Sequence, residues 1–144
     1  MRKGSRSIST GSSGREPSTA STRDHLLLVT LPAEPASVPR ARALASDAAR
    51  AHVSRESLDL VRQALTEVLT HAIVNGRARG KVTITISLGD SVHVEIICPK
   101  TRFTRRIPRP ELGLYILGAL TERWGLEPGA STRVWFTVPR WPDG

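Results

Sequence analysis

Residues 54–76 read SRESLDLVRQALTEVLTHAIVNG, and this stretch decides the fold. Leu58, Val61, Leu65, Val68, Leu69 and Ala72 recur at steps of three and four, so the spacing predicts one amphipathic helix with a continuous apolar stripe. Ser54 is placed to cap it, and Glu56 falls in the first turn, where a carboxylate suits the positive helix end. Asn75-Gly76 is a stop signal, because both residue types tolerate the left-handed conformation that ends helices. Gln63, Glu67 and His71 follow one another at i, i+4, i+8 on the other side of the helix. Such a row is either the solvated face of the helix or the polar lining of a site.

Working outward, Asp24 to Leu31 (DHLLLVTL) reads as a short strand ended by Pro32. A proline-broken connection leads to a helix from about Ser37 or Pro39 to Val53, with Ala43, Leu44, Ala48 and Ala51 expected as its small packing face. After the long helix, Lys81 to Leu88 and Val92 to Ile97 both alternate around Gly89-Asp90-Ser91. Val82, Ile84, Ile86, Val92, Val94 and Ile96 are expected inward, with His93 and Glu95 toward water. Pro99 to Pro110 has no period and reads as a loop. Glu111 to Trp124 returns to helical spacing, with Gly125 as its C-cap. Thr132 to Val138 is the last strand, Val134, Phe136 and Val138 on one face and Trp135 on the other.

The order β-α-α-β-β-α-β predicts an α+β fold, a two-layer sandwich with a mixed or antiparallel sheet and three helices on one face. The expected division is a basic Ser/Thr-rich tail over 1–23 that lacks the apolar residues needed to order it, a folded domain over 24–141, and a terminal 142–144. A lone cysteine, Cys98, excludes an internal disulfide. No apolar run is long enough to span a membrane, and no secretory pattern opens the chain. The expected location is cytoplasmic.

The net charge of +8 is concentrated in two places. Residues 1–23 carry five basic side chains against one acid, and residues 99–110 carry Lys100, Arg102, Arg105, Arg106 and Arg109 with none. That second cluster is a solvated loop, a docking site for an acidic protein surface, or a contact for phosphates. Phe103 is its only aromatic, which is thin for single-stranded nucleic acid, and no helix-turn-helix or zinc signature accompanies it, so a protein partner is favoured. His71 has no second histidine or cysteine spaced to share a metal, and Cys98 has no base beside it; no metal-ligating set is expected.

Taken together, LPAEPASVPRAR, EVLTHAIVNG, the central hairpin, ELGLYILGALTERWG and TRVWFTVP resemble the small histidine-kinase-like ATPase domain (GHKL, or Bergerat, fold). Within that group the chain is most similar to the stand-alone anti-sigma-factor and serine-kinase type of Gram-positive bacteria. The resemblance implies ATP with magnesium as cofactors, and a sigma factor or an anti-anti-sigma-like protein as partner. It also implies homodimer pairing in many members, and either partner sequestration or phosphorylation of a partner serine.

Carried over residue by residue, the resemblance makes Glu67 the candidate catalytic base and puts His71 where the family has the asparagine that holds magnesium. Cys98 stands where an aspartate reads the adenine amino group. Glu111, Leu112 and Gly113 stand where two glycines flank one residue at a phosphate-binding helix start, so Gly113 is kept and Glu111 replaces the first glycine. Thr132 closes the pocket near the last strand. An imidazole is a poor ligand for a hard ion, and a thiol cannot accept the adenine hydrogen bond as a carboxylate does. Three departures at once argue for a protein-binding regulator with weak or absent ATP binding. The alternative is an active serine kinase in which the basic loop compensates by neutralising phosphates.

Overall fold

The computed structural model describes residues 24–75, 79–99 and 117–141. Five strands, β1 (Asp24–Pro32), β2 (Lys81–Leu88), β3 (Ser91–Pro99), β4 (Arg123–Glu127) and β5 (Ser131–Pro139), form one sheet in the order β1-β2-β3-β5-β4. Every neighbouring pair is antiparallel. Helices α1 (Ser37–Ala49) and α2 (Arg55–Leu69) cover one face, and Leu117–Leu120 are also helical. The fold is therefore the expected α+β sandwich, with the sheet antiparallel throughout.

The alternation of β2 and β3 places the core. Ile84, Ile86 and Leu88 line up with Ile96, Val94 and Val92, and these with Val134, Phe136 and Val138 of β5, all buried, as is Val82. Val61, Ala64, Leu65, Val68 and Leu69 of α2 close over them. Each large aliphatic side chain buried this way contributes about 1.5–3 kcal/mol.

Four expectations need correction. Trp124 and Gly125 are not the end of a helix: they belong to β4, which pairs with β5 through Trp124–Phe136 and Gly125–Trp135. The helical segment has already closed at Leu117–Thr121, where the Thr121 amide and hydroxyl both donate to the Leu117 carbonyl at 3.1 and 2.8 Å. Trp124 joins the core from a strand, where a two-residue alternation with Leu126 buries it on the inner face.

The packing face of α1 is Ser37, Ala41, Ala45, Ser46 and Ala49, while Ala43 and Ala51 are exposed and Leu44 and Ala48 half-buried. The helix also stops at Ala49, short of Val53. Steps of four from Ser37 bring methyl-sized side chains against α2, which lets the two helices approach closely.

Finally, His93 does face away from the helices but is buried, because it stacks on Trp135 with ring centroids 5.8 Å apart and planes 8° apart. The Arg123 guanidinium lies 5.8 Å from the same indole. The outer face of the sheet thus has its own aromatic layer over β3, β5 and β4. Arg133 ties that layer further by donating to Glu95 and, at 2.7 Å, to Glu127.

Candidate functional site

The register of α2 on the sheet is fixed at its first turn. The Ser54 hydroxyl accepts from the Ser57 amide at 3.0 Å, which is the expected N-cap. The Ser54 amide donates to the Arg140 carbonyl at 3.0 Å, and the Ser57 hydroxyl donates to the Pro139 carbonyl. Arg140 in turn donates to the carbonyls of His52 at 3.3–3.4 Å and Gly89 at 3.3 Å. The N-terminus of α2 is therefore pinned to the C-terminal end of β5.

Cys98 and Thr132 pair across β3 and β5. Glu67 and His71 lie one turn apart at the C-terminal end of the long helical segment.

At that end the helix changes character. The α-helical hydrogen bonding gives way at Thr70 to a π-helical turn over Thr70–Asn75. A π turn widens the coil and holds an extra residue, and such turns recur at functional sites. Along the polar row the consequence is graded: Gln63 is exposed, Glu67 half-buried and His71 buried at 8% exposure. The row is a solvated face at its start and a buried lining at its end. No propensity or period in THAIVN signals a π turn; the only hint is a histidine among apolar neighbours.

Burial lowers the His71 pKa, and the nearby Glu67 charge opposes that less strongly. His71 is consequently a neutral imidazole at pH 7. Cys98 is 1% exposed, and burial pushes its thiol up to about 12. It is a small apolar core residue, not a thiolate. Thr132 is buried beside it.

These residues do not fit a magnesium ion as a set. The ion requires several oxygen ligands, and the positions that the resemblance assigns to it and to adenine present an imidazole nitrogen and a protonated thiol. Among the described residues no group of three His, Cys, Asp or Glu side chains comes together to hold a metal. Glu111, Leu112, Gly113, Lys100, Arg102, Arg105, Arg106 and Arg109 lie outside the described residues. No helix among the described residues is long and apolar enough to cross a membrane.

No protein-family model and no curated protein matches the chain. Among solved structures it is similar to the crystal structure of the RsbU and RsbW domains of Rv1364c from Mycobacterium tuberculosis, with a TM-score of 0.63 and 18% identity. The match covers 80% of this chain and 33% of that one, so it spans a third of the solved chain's length. At this identity the likeness is one of fold.

Proposed function

We propose that the chain is a regulator of the anti-sigma-factor, partner-switch type, which acts by binding a sigma factor or an anti-anti-sigma-like protein and binds ATP weakly or not at all. The observation that carries this reading is the buried, neutral His71 on the π turn, at the position where the resemblance requires a magnesium-holding asparagine. Cys98 adds to it, since a thiol held protonated offers no carboxylate to adenine. The partner class is the one the sequence resemblance implies, and the fold likeness to a chain with an RsbW domain supports it. The basic residues 100–109 supply the charge for an acidic partner surface.

The second reading is an ATP-dependent serine kinase. It is favoured by Glu67, which is retained one turn before His71 and remains half-buried at the same end of the helix. Calorimetric titration of the full chain with ATP, with and without magnesium, separates the two. The regulator reading expects no magnesium-dependent binding in the micromolar range. It also expects a partner complex whose affinity is the same with and without nucleotide. Magnesium-dependent binding together with phosphate transfer lost in Glu67→Ala would put the kinase reading in its place.

A further inference from the structure

The apolar layer closes at one edge of the sheet and stays open at the other. At edge strand β4 the inward side chains Trp124 and Leu126 are buried. That strand is five residues long, carries Arg123 and Glu127 at its ends, and is followed by Pro128. Short length, charge and proline are the usual means of keeping an edge from pairing with another chain. Edge strand β1 is nine residues long and uncharged from Leu26 to Leu31. Leu27 and Val29 pair with Ile86 and Ile84 on the inner face, yet they are half-buried where those two isoleucines are fully buried. On the outer face Leu28 is 72% exposed. Among the described residues no strand pairs with the far side of β1.

We infer that the far edge of β1 binds an extended segment of a partner protein, which adds to the sheet as a further strand. A row of backbone N–H and C=O groups at strand spacing is matched by another extended chain and not by a helix. The two faces of β1 set the chemistry of that segment. Every second side chain must be apolar, to complete the inner layer beside Leu27, Val29 and Leu31. The side chains between them lie beside Leu28 and Thr30 on the outer face, where uncharged β-branched residues fit a half-covered sheet. The ladder is regular from Leu27 to Pro32, beyond the bulge at His25/Leu27, and this is the length over which the segment pairs.

Charge and pairing preference give the segment a direction. Every neighbouring pair in this sheet is antiparallel, and antiparallel pairing is the more stable per residue. An antiparallel partner strand ends beside Asp24, where residues 1–23 join β1 with five basic side chains against one acid. Acidic residues that follow the segment would meet that charge. A parallel strand would need them ahead of the segment instead. The occupant is therefore an uncharged segment with alternating apolar residues, followed by an acidic run. This inference goes beyond the partner-switch reading and does not rest on it.

The probe is a fluorescently labelled synthetic peptide, three threonine–valine repeats followed by four glutamates, titrated into the full chain and read by anisotropy. Saturable binding is expected. Methylating the peptide nitrogens that face β1 removes their donors without changing side chains or charge, and is expected to weaken binding at least tenfold. Moving the glutamates ahead of the repeats is expected to weaken it at low salt, with the difference vanishing at high salt. Hydrogen exchange should show new protection in β1 between Leu27 and Leu31 and none in β4. Absence of saturable binding overturns the inference. So does an affinity unchanged by methylation, or protection that appears away from β1. A second copy of this chain that occupies the edge and excludes the peptide overturns it as well. Equal affinity for the two glutamate placements at low salt overturns the assigned direction.

Discussion

Trp135 lies flat against Gly125, its partner in the β4–β5 ladder, so closely that a Cβ on residue 125 would come within 2.7 Å of the indole Cε2 and 2.9 Å of Cζ2. The indole cannot swing away, because His93 stacks on it and Arg123 lies against it. The glycine therefore answers a packing demand from the outer face of the sheet. Gly125→Ala should lose about 1–3 kcal/mol, the usual cost of overpacking a filled site. Gly129→Ala is the control: its Cβ would meet only the Ser131 carbonyl oxygen at 3.4 Å, and the change should stay within about 0.5 kcal/mol. Urea unfolding of both variants checks this, and equal midpoints would show that the indole yields.

Ser57 is fully buried and spends its hydroxyl on the Pro139 carbonyl, while Ser54 caps the same turn. Ser57→Ala removes the donor to that part-buried carbonyl and should cost about 0.5–1.5 kcal/mol. Ser54→Ala removes the cap and should cost about 0.5–2 kcal/mol. Because both residues hold one helix end, the double variant should lose measurably less than the sum of the two. Strict additivity in denaturant unfolding would mean that the two bonds act independently, and that the α2–β5 tie is not a unit.

How much of this was legible in the sequence depends on the range of the interaction. The α2 stripe, its Ser54 cap and the alternation of β2 and β3 are local patterns, and each was readable. Strand β4 was not, because Leu117, Leu120 and Trp124 happen to repeat at helical spacing and Gly125 mimics a helix stop. Its five residues become a strand only through pairing with β5, a tertiary contact. The α1 face was read from the wrong alanines, since a run rich in small residues offers several equivalent stripes and only α2 chooses among them. His93 read as solvent-facing, and its direction was right. Its burial depends on Trp135, more than forty residues away in the chain. At the site, His71 and Cys98 were visible as letters, while the π turn that buries His71 has no sequence period of its own.

The protonation of His71 gives the fold a pH dependence of known sign. Its native pKa lies below the ordinary 6.5, because burial penalises the imidazolium more than Glu67 favours it. As pH falls through 6.5 the unfolded chain takes up a proton that the native state refuses, so stability declines until the lowered native value is reached. Above that window the residue contributes no slope. His71→Asn removes the group, so the difference in unfolding free energy between parent and variant should change between about pH 7.5 and pH 5, with the parent losing more. A constant difference over that range would mean that His71 is protonated as readily in the folded chain as in the unfolded one.

Cys98 offers a probe of how tightly the site end is closed. It pairs with Thr132 across β3 and β5, is 1% exposed, and its thiol is pushed from 9.0 to about 12 by burial alone. The thiolate is the reacting species, so at pH 8 this displacement lowers its fraction roughly a thousandfold before access is considered. Access lowers the rate again, because a reagent must wait for the β3–β5 end to open. Labelling of the native chain by an aromatic disulfide should therefore be at least a thousandfold slower than in urea. The way the rate responds to denaturant then reports the opening. A steep dependence, matching global unfolding, places Cys98 inside the cooperative core and leaves the adenine position of the resembled fold closed. A shallow dependence means that the end opens locally, by a motion large enough to admit an aromatic ring. Rapid labelling in native buffer would contradict the burial itself and remove Cys98 from the argument against nucleotide binding.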